Sequence, residues 1–290
     1  MKKKIIELRN DRFGFKTAAL ILCGLIILFA GLLAGNFLAN YLLNSGLIDA
    51  GAGFNTVAGI LETLFCVAFL YGFVRFVLGE KMSFFRITGF RLSAFGVTAA
   101  ILLPAAVVGF YLLLIDGELL VDTGMRYSDM LSWALRAGLR AGITEELIFR
   151  AFIMKLIEQR WNRAAAVFVP SVVFALLHTV QGMGAPDLIM LFIAGVAVGL
   201  MFSLITYSAD SIWDAVLVHA VWNALILGIV HISTAGGLRL LVNYRIDSGN
   251  ILITGGRFGI EAGLPASAAF IIVCIAAVFK IKRKSRAGAG

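Results

Sequence analysis

Eight stretches of this chain are apolar for about the 17 to 25 residues that a helix needs to cross a bilayer, and few folds are open to such a chain. They fall at 17–43, 54–78, 94–115, 133–157, 164–180, 188–207, 212–232 and 263–281. In lipid each backbone N–H and C=O must be satisfied within its own segment, so the runs read as helices. Composition agrees: 60% of the 290 residues are hydrophobic and 14% charged, with a mean hydropathy of +0.95, where soluble chains carry about 25% charged residues. The expectation is an all-α, polytopic membrane protein with about eight transmembrane helices in one bundle over residues 17–281. A basic N-terminus (1–16) and a basic tail (282–290) flank it. With four prolines and no internal repeat, a single domain is the simplest organisation.

Charge sets the expected orientation. Both ends, MKKKIIELRNDRFGFK and KIKRKSR, are basic, and an even number of spans leaves both in the cytoplasm. Lys81, Arg86 and Arg91 in GEKMSFFRITGFR, and Arg160 and Arg163 in EQRWNR, fall on that same side. NSGLIDAGAG and VQGMGAPD carry no Lys or Arg, and DGELLVDTGMRYSD is net acidic. The segment 233–261, with Arg239, Arg245 and Arg257, falls outside against the rule, which governs long loops weakly. The net charge of +8 is thus held mostly in tails and inner loops, where anionic headgroups attract it. No groove of basic residues interleaved with aromatics is present, so nucleic acid is not an expected partner. The compact chain suggests a bacterial cell membrane. Cys23, Cys66 and Cys274 sit singly in different apolar runs and read as packing residues.

Against this background TEELIFR (144–150) is out of place. A charge at mid-membrane costs ~2.5–3.5 kcal/mol on insertion scales. Glu146 and Arg150 can offset part of that as an i, i+4 pair on one helix, a structural brace. Glu145 points about 100° away and is left over. Candidate partners lie in later runs: His178 in SVVFALLHTV, and His219 with Asn223, one turn apart, in SIWDAVLVHAVWN. The remaining histidine, His231, falls off that stripe and reads as interfacial. Singly, each has a structural explanation as glue between helices. Together, an unpaired Glu, two His and an Asn on separate helices suit a buried hydrated pocket able to hydrolyse a peptide bond. Glu145, with a pKa raised by low dielectric, would take a proton from water beside His178. His219 and Asn223 would donate hydrogen bonds to the oxyanion.

The same residues carry a resemblance. EELIFR is similar to the EExxxR motif of the CAAX protease and bacteriocin-processing (Abi) family, FALLH to its FxxxH motif and HAVWN to its HxxxN motif. The three stand in the family's order, between about Thr144 and Asn223, in a core of about 130–232. The resemblance implies an eight-helix intramembrane endopeptidase related to type II CAAX prenyl endopeptidases. It implies that Glu145 activates water beside His178, that His219 and Asn223 serve the oxyanion, and that Glu146 and Arg150 match the motif's second acid and its arginine. Ala151 departs from the Gly often found after that arginine.

No cofactor is expected. Two His and one Glu can satisfy zinc, yet HExxH is absent, so metal-free chemistry is preferred over a zinc-dependent variant of the protease. The expected partners are a membrane-associated protein or peptide substrate and the bilayer itself. Two readings compete: a non-proteolytic immunity or scaffold protein that keeps the fold, and a proton-coupled transporter, against which the lack of a repeat stands. The segment 233–261 matches no motif and is left without a role.

Overall fold

The computed structural model describes Leu8 and residues 14–179, 181–234, 240 and 242–287. The rest of the basic stretch 1–13, Val180 at the end of the fifth expected run, Arg239 and the tail end 288–290 lie outside the described residues. The chain is mostly helical. Helix α1 is Phe15–Asn44, α2 is Ala52–Val77 and α3 is Ala94–Leu114. Strand β1 is Gly117–Val121. An unbroken helical run over 127–160, α4, follows. Then come α5 (Arg163–Leu177), α6 (Ala185–Ala209), α7 (Trp213–Ile226), β2 (Val230–Ser233), β3 (Val242–Ile246) and α8 (Leu264–Ala287).

Among the described residues five helices, α1, α2, α3, α6 and α8, are long and apolar enough to cross a membrane, where the sequence suggested eight. The other runs fall short for identifiable reasons. α4 is long but carries Arg136, Arg140, Glu145, Glu146 and Arg150. α5 is capped by Asn162, whose side chain accepts from the Ala165 N–H at 2.9 Å, and it ends at His178. α7 stops at Ile226 and the chain enters a strand at Val230, so the run expected to reach residue 232 is helix only over Trp213–Ile226.

That sheet also corrects the all-α expectation. Its order is β1–β3–β2, with β1 and β3 antiparallel (Gly117 opposite Ile246) and β2 and β3 parallel (Val230 opposite Val242). Tyr244 and Ile246 turn inward, while Arg245 turns out to pair with Glu118 across the strands.

Small residues let the helices approach closely, the usual device where lipid provides no hydrophobic drive between them. A side chain at Gly31 or Gly35 of α1 would collide with Cys66 or the Glu62 backbone of α2, and one at Gly199 of α6 would strike Ser171 of α5. Gly138 and Gly142 of α4 lie against Ala220 of α7 in the same way.

The two ends of the bundle differ. At one end Arg86 bridges Glu158 (2.7 Å) and Asp210 (3.1 Å). There Asp214 also accepts from the Ser93 backbone N–H (2.8 Å) and hydroxyl (2.5 Å), while Lys280 donates to the Ser93 hydroxyl (3.0 Å). The other end gathers the sheet, the close of α5, the starts of α6 and α8, and short turns at Ile251–Thr254, Gly256–Phe258 and Ile260–Ala262.

Candidate active site

Glu145 and Glu146 close the α-helical stretch Ala141–Glu146, which lies between two π-helical stretches of α4, Arg136–Arg140 and Leu147–Ile153. π-turns inside α-helices concentrate at functional sites, because the extra residue re-aims the side chains beyond it. Glu146 and Arg150 are fully buried and 3.2 Å apart. The guanidinium lies over Phe174 (4.6 Å) and Phe202 (5.2 Å) and donates to the Gly199 carbonyl (3.4 Å). Glu146 has a second partner: its Oε1 also lies 2.9 Å from His219 Nδ1.

Glu145, on the neighbouring position, meets both imidazoles. Its Oε2 is 4.0 Å from His178 Nε2 and 3.9 Å from His219 Nε2, and this buried oxygen has no hydrogen-bond partner among the described residues. The far side of each ring fixes its tautomer. His178 Nδ1 sits 2.7 Å from the Phe174 carbonyl, which can only accept, so Nδ1 carries a proton and a neutral ring turns its Nε2 lone pair toward Glu145. His219 Nδ1 faces a carboxylate and is likewise the protonated nitrogen. Aromatic packing holds both rings, His178 against Phe174 (4.3 Å) and His219 stacked on Phe202 (4.7 Å, 16°).

Beside these rings opens a cavity of about 110 Å³. His178, His219, Asn223 and Glu261 are its polar lining, and Phe174, Phe202, Phe258 and Phe270 contribute to its apolar walls. Asn223 reaches it from one turn beyond His219, its amide 3.4 Å from the Ala137 carbonyl. The structure thus brings His178 and His219 each within about 4 Å of Glu145, with Asn223 on the cavity that the two imidazoles line and Glu146 and Arg150 behind His219.

Separations of 3.9 and 4.0 Å are wider than the roughly 3.3 Å edge of a zinc tetrahedron with 2.0–2.1 Å bonds. Among the described residues no three His, Cys, Asp or Glu are grouped to hold a metal ion.

Two acids escaped the sequence reading. Glu62 of α2, buried in an apolar run, pairs with Arg136 (2.7 Å) and Arg140 (3.6 Å) of α4. An acid in one apolar run and two arginines in another were the available signal. Glu261 is the last acidic residue of the chain, just ahead of α8, and nothing in its spacing ties it to the motifs. His231 lies in β2, away from the cavity.

The family model for type II CAAX prenyl endopeptidase Rce1-like proteins matches residues 127–225, roughly a third of the chain. The matched segment contains α4, α5, α6 and nearly all of α7, and with them every residue of the three motifs. Over that segment the resemblance carried by EELIFR, FALLH and HAVWN holds. No curated protein matches the chain.

Proposed function

We propose that this chain, Rce1-like over residues 127–225, is an integral membrane endopeptidase that hydrolyses a peptide bond in a membrane-associated protein or peptide. One observation carries the reading: two imidazoles present their Nε2 atoms to a single buried carboxylate oxygen, at 4.0 and 3.9 Å, beside an apolar cavity. Spacings of that size suit a water held between the groups rather than direct hydrogen bonds. Glu145 takes one proton of that water and the His178 Nε2 lone pair accepts a hydrogen bond from the other, which aims the oxygen at the scissile carbonyl. His219 and the Asn223 amide then donate to the developing oxyanion. For His219 to donate through Nε2 as well as Nδ1 its ring must be cationic, and the carboxylates of Glu145 and Glu146 on either side are the counter-charges of that form. Arg150 holds Glu146 in place. No step of this scheme calls on a metal. We read α4, α5 and α7 as completing eight passes with the five longer helices, and both termini as cytoplasmic.

The test uses the full chain reconstituted in liposomes with a pool of quenched-fluorescence apolar peptides. Glu145→Gln should lower turnover by at least ~10³-fold while the variant melts like the parent. Cleavage that survives in the variant, or turnover lost on chelation and restored by zinc, would replace this scheme.

A further inference from the structure

The hydrolysis outlined above leaves one proton transfer unassigned. A peptide amine is a poor leaving group until its nitrogen is protonated, and each group assigned so far acts on the water or on the oxyanion. We propose that Glu261 is the general acid of this site, delivering through its carboxyl the proton that the departing amine needs. The inference rests on the hydrolase reading and adds a residue from outside the matched segment.

Glu261 is fastened to the site by the helix that carries His219 and Asn223. Its Oε1 accepts a 2.7 Å hydrogen bond from the indole N–H of Trp222, the residue before Asn223, and Trp222 is itself buried with its ring 5.1 Å from Phe270. With Oε1 engaged, Oε2 is the atom available to carry a proton. The carboxyl lines the same cavity as His178, His219 and Asn223.

The loop that brings it there is held at several points. Tyr111 donates to the Ile253 carbonyl (2.5 Å), Arg257 donates to the Gly182 carbonyl (2.6 Å), and the Arg257 backbone N–H donates to Asp187 (3.0 Å). Gly255 and Gly259, with φ of 71° and 95°, make the turns that return the chain to the cavity, a conformation few residues but glycine accept. Phe258 places its ring 6.5 Å from that of His178.

The surroundings favour a proton on this group. Burial pushes the Glu261 carboxyl above its ordinary pKa, and the Trp222 hydrogen bond opposes that shift only in part. His178 from α5 and His219 from α7 are the titratable groups that face it. α6 and α8 present Leu191, Ala194, Val198 and Phe270. Arg257, on its own loop, is turned to Gly182, and among the described residues no Lys or Arg pairs with it.

The proton count closes. Glu145 takes a proton from water as hydroxide bonds to the carbonyl carbon. As the C–N bond breaks, Glu261 gives its proton to nitrogen and the electron pair stays with the amine. The new carboxylic acid then returns a proton to Glu261, and Glu145 passes its proton to the amine, leaving a carboxylate, an ammonium and the starting enzyme.

A structural role for Glu261, tying its loop to Trp222, would make different predictions from a chemical one. A peptide cleaved by the wild type is remade with sulfur in place of the scissile N–H, because a thiolate departs without a proton. Wild type, Glu261→Gln and Glu145→Gln are compared on both substrates as full chains in liposomes. Gln keeps an acceptor for Trp222 but has no proton to give. Glu261→Gln should lower kcat on the peptide ~10²–10³-fold with KM almost unchanged, yet cleave the thioester within about threefold of wild type. The wild-type peptide profile should fall at high pH as Glu261 loses its proton, and the thioester profile should lack that limb. Equal loss on both substrates, or undiminished peptide cleavage, would overturn the assignment while leaving the hydrolase reading intact. A wild type that cleaves neither, or a Glu145→Gln variant that cleaves both, would overturn that reading and this inference with it.

Discussion

At the scale of single residues the site is a chain of buried charges in which each member fixes the next. Arg150 stands behind Glu146, Glu146 holds His219, and His219 faces Glu145. Arg150→Ala leaves the Glu146 carboxylate, in a space open to no solvent, with His219 in place of its cation, and removes the guanidinium from Phe174 and Phe202. Breaking a buried pair in this way costs about 3–5 kcal/mol, which denaturant titration in micelles would measure. Replacing both partners by apolar residues of similar size, Glu146→Leu with Arg150→Met, should recover most of that loss. Turnover should stay low in the double variant, because His219 no longer has a partner for Nδ1. Recovery of both stability and turnover would show that Glu146 serves the fold alone. The motif residues were legible because charge in an apolar run is costly and therefore stands out. Glu261 was not, since an acid in a loop ahead of a helix looks ordinary until folding brings it to the cavity.

At the scale of elements, the site depends on how closely α4 and α7 approach. Gly138 and Gly142 give α4 a bare strip on which the Ala220 backbone rests, and His219 is the residue before it. A methyl group at Gly138 would overlap the Ala220 carbonyl oxygen, so Gly138→Ala should push α7 outward and carry His219 away from both glutamates. A displacement near 1 Å can lower a rate on the order of 10²-fold, so kcat should fall by about that much in a variant that still folds. Gly72→Ala, where an added Cβ meets nothing within 4 Å, is the control and should keep wild-type turnover. Unchanged kcat in Gly138→Ala would mean that α7 gives way without moving the site. Existence and type of the long helices could be read from apolar runs, because lipid permits little else. Their ends could not. The apolar run continued through 227–232, where the chain leaves α7 and enters β2, and β-branched residues such as Val230 and Ile232 serve either structure. The two π-stretches were equally invisible, as no residue type marks them.

At the scale of the whole molecule, chain direction places the cavity. α5 runs from Arg163 to its end beside His178, while α6 and α8 begin near that point, at Ala185 and just after Glu261, and run back toward Asp210 and Lys284. The site therefore lies toward the end that bears the sheet and the 251–262 turns. The opposite end bears Lys81, Arg86, Arg91, Arg160, Arg163, Lys282 and Lys284. Basic residues at the cavity end are engaged locally, Arg126 by Asp129 (2.8 Å), Arg245 by Glu118 and Arg257 by the Gly182 carbonyl. With both termini cytoplasmic, as proposed above, the cavity end would face outward. Gly249→Cys, in an exposed loop at the cavity end, should react with a membrane-impermeant maleimide in intact cells. Ser285→Cys, exposed at the far end of α8, should react only after permeabilisation. The native Cys23, Cys66 and Cys274 lie within α1, α2 and α8, out of that reagent's reach. The reverse labelling would place the cavity at the cytoplasmic surface, and the substrates to be sought would change with it, from chains exposed outside the cell to chains anchored on its inner leaflet.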